Sequence, residues 1–306
     1  MGRLVADGTS RSHAIPAPES TGTVDVAGGR IWYRSNGDRH KDKTAVIAVH
    51  GGPGVPHDYL LPLTALSWER RVILYDQLDV GKSDKPGDPK NWTVERFVSE
   101  IDALRKTLGL ETIHLFGNSW GGTIAAEYAI GRPQGLSSLT LSGPLLSTSR
   151  WIADNDDYIR ALSHEAQEAL ARSGGRGADH DPKVAMAVAE YNRRHLCRID
   201  PWPDFLENAM NGTNTTVYNT MWGPTEFICT GTLQRYDCTS RLSHIQAPTL
   251  VICGQYDESA PSSCHEFSKL IPGAQLGVIP NASHLPFIER PDPFMVILRT
   301  FLKECE

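Results

Sequence analysis

The chain has 306 residues, 40% apolar and 22% charged, with a formal charge of −6. That balance and length suit one large α/β domain, or one domain carrying an insertion. No basic run or apolar span of ~20 residues is present, so neither nucleic acid nor a membrane is an expected partner.

The opening residues have no apolar core, so no secretory signal is expected, and residues 1–21 read as a flexible lead-in. Residues 24–26 and 31–33 flank Ala27-Gly28-Gly29, the pattern of a hairpin. Buried-strand runs follow at 45–49, 72–75, 113–116, 136–141, 250–253 and 276–279. Helical patterns at 94–108, 122–130, 265–271 and 293–302 lie between or after them, the last with Asp292 placed as cap and Pro293 in its first turn. Apolar strands alternating with helices predict an α/β fold with a mostly parallel sheet covered on both faces.

Residues 145–242 break the alternation. Helical patterns at 151–171, 183–197, 205–210 and 215–221 are punctuated by Gly174-Gly175-Arg176-Gly177 and Pro201-Trp202-Pro203. This predicts an inserted helical cap, leaving 22–144 and 243–306 as the core. Six cysteines (Cys197, Cys229, Cys238, Cys253, Cys264 and Cys305) form no framework and no CxxC, which points to reduced thiols in a cytoplasmic protein. No His/Cys cluster has metal-ligand spacing, and no cofactor is expected.

Gly117-Asn118-Ser119-Trp120-Gly121-Gly122 sits between a predicted strand and a predicted helix. That is the GxSxG elbow in the context it needs, with Ser119 as nucleophile and the Trp120 N–H beside the future oxyanion. Asp257 and His284 each follow a late strand, so both fall on the sheet edge that carries Ser119. The order Ser, Asp, His is that of α/β hydrolases, whose oxyanion hole takes a second N–H from a loop after an early strand. Here that loop is His50-Gly51-Gly52-Pro53-Gly54.

Those motifs, with Tyr75-Asp76-Gln77, Gly223-Pro224-Thr225-Glu226-Phe227 and Tyr256-Asp257-Glu258, resemble the proline iminopeptidases of the α/β-hydrolase superfamily from about Val24 onward. The resemblance implies a helical cap over the triad and hydrolysis of the amide bond after an N-terminal amino or imino acid, often proline. It implies Gly52 as second oxyanion donor, and Glu226 and Glu258 as the carboxylates that hold the free amine. A small peptide, an amino acid amide or an aminoacylated small molecule is then the expected substrate. Two positions depart from the family pattern: Asp79 stands where glycine is usual, and Trp222 where a smaller polar residue is expected. An esterase or lactonase on the same triad is the alternative, and a binding protein without turnover a third. Ser119 excludes dehalogenase and epoxide hydrolase chemistry, which needs a carboxylate at the elbow.

Overall fold

Strands form where the apolar runs lie. In the computed structural model, which describes residues 15–173 and 181–306, they are β1 (Ser20–Val26), β2 (Gly29–Asn36), β3 (Ala45–Val49), β4 (Val72–Asp76), β5 (Ile113–Asn118), β6 (Leu136–Ser142), β7 (Thr249–Gly254) and β8 (Gln275–Ile279). They make one sheet in the order β1-β2-β4-β3-β5-β6-β7-β8. The β1–β2 and β2–β4 pairs are antiparallel and the rest are parallel.

Side chains along the central strands alternate between two apolar layers. Ile47, Val49, Ile73 and Tyr75 face the layer holding Phe97, Ile101 and Leu104 of α1 (Val94–Leu108) and the apolar side of α2 (Trp120–Ile130). Val46, Ala48, Val72 and Leu74 face the other, with a 3₁₀ helix (His57–Trp68) and the C-terminal helix. The α1 boundaries follow from its ends: Thr93 Oγ1 accepts from Arg96 N at 3.3 Å, and Gly109, at φ 65°, stops the helix.

Between β6 and β7 lie α3 (Thr148–Arg160), α4 (His164–Ser173), α5 (Pro182–His195), α6 (Asp204–Asn211) and α7 (Thr215–Met221). Side chains of these helices such as Leu162, Leu170, Val184 and Tyr191 form a small apolar cluster of their own. After β7 come α8 (Pro261–Leu270), α9 (Pro286–Glu289) and α10 (Pro291–Glu304).

Several boundaries differ from expectation. The lead-in is held from Pro16 on, since Pro16 O and Ala17 O accept from Arg34 and Asn36, both at 2.7 Å, and β1 already starts at Ser20. The rest of that lead-in, and Gly174-Gly175-Arg176-Gly177, lie outside the described residues. The single helix expected over 151–171 is two, because Ser163 turns to bond the Glu190 carboxylate with its amide and hydroxyl. The last helix starts at Pro291 rather than after Asp292, which sits in its first turn and does not cap it. The 3₁₀ segment at His57–Trp68 had no periodic signal and carries Pro62 inside it.

The topology decides where chemistry can happen. From β3 the chain runs outward to β4, then returns to place β5 on β3's other side, so loops after β3 and β5 diverge at neighbouring strand ends, the usual place for a binding crevice.

Asp79, after β4, adopts φ 68°, the left-handed conformation otherwise suited to glycine. Its carboxylate accepts from Gly87 N at 2.7 Å and Trp92 Nε1 at 2.8 Å, and its carbonyl accepts from Asn214 Nδ2 at 2.7 Å. Asp79→Ala keeps the strain and loses both side-chain bonds, so it should cost roughly 2–4 kcal/mol in urea unfolding, and Asp79→Gly should cost less. An alanine variant as stable as the glycine variant would refute this account of the turn.

Candidate active site

Ser119 directly follows β5 and precedes α2 with φ 57° and ψ −122°, a strained backbone for a non-glycine residue. Bonds from its own backbone fix it: Ser119 N donates to Ser142 O at 3.0 Å, and Ser119 O accepts from Gly122 N at 2.8 Å and Leu145 N at 3.2 Å. The turn leaves no room for side chains. A Cβ on Gly121 would stand 2.1 Å from Val49 O, so the elbow packs directly on the end of β3.

Asp257 and His284 follow β7 and β8, and His284 Nδ1 lies 2.7 Å from Asp257 Oδ1. Asp257 is fully buried and also accepts from Gly254 N at 3.1 Å and Ser259 N at 2.9 Å, which aims its carboxylate at the imidazole. Gly143, directly after β6, lies against this pair. A Cβ there would meet His284 Nδ1 at 2.8 Å and Asp257 Oδ2 at 2.9 Å. Ser119, His284, Gly51, Gly52 and Glu226 line one cavity.

The loop after β3 is fixed by bonds that link it to the elbow. Gly51 N donates to Tyr59 OH at 2.6 Å, and Tyr59 OH donates to Asn118 Oδ1 at 2.9 Å. Gln77 N donates to His50 Nε2 at 3.0 Å, which places the His50 proton on Nδ1, 3.0 Å from Gly51 O. Burial pushes the His50 pKa down to about 4, so the ring stays neutral. Gln77 Nε2 donates to His50 O at 2.9 Å, while Trp120 Nε1 donates to Gln77 Oε1 at 3.0 Å. Gly52, at φ 111°, sits between Gly51 and Pro53 with its amide unbonded, and so is the Trp120 amide, among the described residues.

Glu226 and Glu258 bring negative charge to the same place from different elements. Glu226 Oε1 accepts from Tyr218 OH of α7 at 2.7 Å, while Trp151 Nε1 of α3 donates to Glu226 O at 2.8 Å. Trp222 Nε1 donates to Thr225 O at 2.9 Å, so the departing tryptophan braces the turn that carries Glu226. Glu258 is buried, and neither of its carboxylate oxygens has a partner among the described residues. Burial, then the neighbouring Glu226, push the Glu258 pKa well above the usual carboxylate range. Burial raises Glu226 too, against the Tyr218 hydrogen bond. Burial alone would lower His284, but Asp257, Glu258 and Glu226 outweigh it and hold the imidazole at about 9. Two buried carboxylates with His284 as their cationic neighbour among the described residues can take a further cation.

The cap reaches both loops of the Asp–His pair. His195, the last residue of α5, accepts from His284 N through its carbonyl at 3.0 Å, and its ring Nδ1 lies 2.9 Å from Tyr256 O. Asn155 Nδ2 donates to Glu258 O at 3.3 Å. Sequence reasoning missed His195, Asn155, Tyr218 and Tyr59. Gly143 alone carried a visible signal, a glycine directly after a core strand. Among the described residues no cluster of His, Cys, Asp or Glu could hold a metal ion, and no helix is long and apolar enough to cross a membrane.

Residues 44–291 match the family described as alpha/beta hydrolase fold. The chain is 38% identical to the proline iminopeptidase of Heyndrickxia coagulans, over 92% of this chain and 98% of that one. Its fold superposes on the crystal structure of VinJ with a TM-score of 0.91 at 35% identity, covering 95% of this chain and 100% of that one. It superposes on the proline iminopeptidase of Mycobacterium smegmatis with a TM-score of 0.87 at 34% identity, covering 94% and 98%.

The buried, unpartnered Glu258 is a stability cost. Its folded pKa lies above its unfolded one, so the native state is favoured below the unfolded value and loses stability as pH rises through the folded value. Glu258→Gln should therefore stabilise the ligand-free protein by roughly 1–3 kcal/mol. The gain should grow from about pH 5 upward, measured as Tm against pH. A variant equally stable at every pH would contradict the buried, ionisable site.

Proposed function

We propose, for a chain that belongs to the α/β-hydrolase fold family and within it to the proline iminopeptidases, that it is a serine aminopeptidase whose two buried glutamates hold the free amine of the substrate. The observation that carries this reading is Glu258: a buried carboxylate with both oxygens unpaired among the described residues, beside Glu226, which lines the cavity that also holds Ser119 and His284. An ammonium entering there would be paired by Glu226 and Glu258, with its carbonyl about one residue away, within reach of Ser119.

In this reading Ser119 Oγ attacks the carbonyl carbon while its proton passes to His284 Nε2. The carbonyl oxygen becomes the oxyanion, facing the amides of Gly52 and Trp120. His284 returns the proton to the scissile nitrogen, the C–N bond breaks, and the leaving amine departs. Water then attacks the acyl-enzyme, giving its proton to His284. Collapse of the second intermediate passes that proton to Ser119 and releases the amino acid. Asp257 keeps the imidazole in register and offsets its charge while it is protonated. Small peptides, amino acid amides and aminoacylated small molecules all satisfy this scheme. The esterase alternative uses the same triad but leaves Glu258 without a partner and Glu226 with Tyr218 alone.

Aminoacyl arylamides, each free and N-acetylated, test the amine. The free forms should be hydrolysed and the acetylated forms should not. Glu226→Gln should lower kcat/KM on free amines by roughly ten- to hundred-fold, the worth of a charge-assisted bond, and leave acyl esters nearly unchanged. Equal use of acetylated substrates, or a silent Glu226→Gln, would favour the esterase. Ser119→Ala should remain folded and lose activity on every substrate.

The pH profile gives a second check. His284 must be neutral to take the serine proton, and in the ligand-free site it is held at about 9. The acid limb of kcat/KM, which reports free enzyme, should therefore lie well above the ordinary histidine value of about 6.5. Bound ammonium offsets the carboxylates, so the acid limb of kcat should fall lower. Glu258→Gln should shift the kcat/KM limb down. A limb that stays near 6.5 in both proteins would mean that the glutamates do not act on His284.

A further inference from the structure

Both glutamates are held through their backbones by one face of one helix. Trp151 and Asn155 stand four residues apart in α3, on the same side of it, and both are buried. Trp151 Nε1 donates to Glu226 O at 2.8 Å, and Asn155 Nδ2 donates to Glu258 O at 3.3 Å. The Asn155 amide is itself fixed: Nδ2 also donates to Trp151 O at 2.8 Å, and Oδ1 accepts from Tyr191 OH of α5. The Trp151 indole packs edge-on against the His284 ring, with 5.7 Å between centroids. Neither Trp151 nor Asn155 lines the cavity, so each acts through the residues it holds.

The helix that carries them is anchored in turn. Thr148 N donates to Tyr236 O at 2.9 Å and Thr148 Oγ1 to Leu233 O at 2.8 Å, while Arg150 Nε donates to Ser263 Oγ of α8 at 2.7 Å. One turn of α3 is therefore a common frame for the two glutamate backbones and the catalytic imidazole. In an α-aminoacyl substrate the amine sits on the carbon next to the scissile carbonyl. In a β-aminoacyl substrate it sits one carbon farther, about 1.5 Å. A frame that holds its span accepts one of these and not the other, because a misplacement of about 1 Å costs on the order of hundred-fold in rate.

We infer that Trp151 and Asn155 are positioning residues that fix the span from the two glutamates to the Ser119–His284 pair, and that this fixed span confines the enzyme to acyl groups whose amine or imine nitrogen is on the α carbon. This rests on the amino-end reading above.

The test compares two isomers, alanyl and β-alanyl nitroanilide, which differ only in where the amine and its carbon are attached, with N-acetylalanyl nitroanilide alongside. Wild-type kcat/KM should favour the alanyl isomer by roughly hundred-fold. Trp151→Phe keeps a ring beside His284 and removes the N–H to Glu226, and Asn155→Ala removes the one to Glu258. Each should narrow the preference by about three- to tenfold, the worth of one neutral hydrogen bond, and the loss on the alanyl isomer should fall in kcat rather than KM. A folded variant that declines equally on both isomers, or loses only KM, overturns the proposal. So does a wild type that uses both isomers alike, whether or not either variant folds. Hydrolysis of the acetylated anilide as fast as the free one overturns the amino-end reading instead, because the amine is then not read at all.

Discussion

The site is organised around negative charge kept from water. Asp257, Glu258 and Glu226 converge on one imidazole from β7 and a cap turn, and only Asp257 is fully matched by donors. The rest of the structure follows from tolerating that arrangement. The sheet must bury Asp257, the cap must cover Glu258, and the Tyr218 hydroxyl must face Glu226. A core assembled for stability alone would have no reason to leave a carboxylate unpaired.

What the sequence disclosed, and what it hid, divides along physical lines. The strands, α1, and the loops bearing Ser119, Asp257 and His284 are encoded locally: an apolar run, a capping threonine, a glycine where two backbones must touch. Those signals are read in windows of a few residues, and the structure agrees with them. The network that holds the loop after β3 is different in kind. Tyr59, Gln77 and Trp120 lie far apart in the chain, and each is an ordinary buried residue until the fold brings it to the others. Pairings of that sort leave no local pattern. The break between α3 and α4 was hidden for the same reason, since the Glu190 that bonds Ser163 comes from a later helix.

The two departures from the family pattern are structural accommodations with different reach. Asp79 takes over a position that favours glycine because its carboxylate acquires two donors there, one of them Trp92. Trp222 is fully packed, edge-on to Trp151 at 6.1 Å, and Trp151 in turn stands edge-on to His284 at 5.7 Å. The indole pair therefore connects the turn that carries Glu226 to the His284 ring, so replacing Trp222 alters the surroundings of both.

His195 ties the helices between β6 and β7 to the Asp–His pair. Its carbonyl and its ring bond the segments before and at the two partners of the Asp–His pair, so lifting α5 would remove an anchor from each at once. The His284 amide, held by the carbonyl of the last residue of α5, is protected from exchange with water for as long as that contact holds, so its protection reports on the docking of α5.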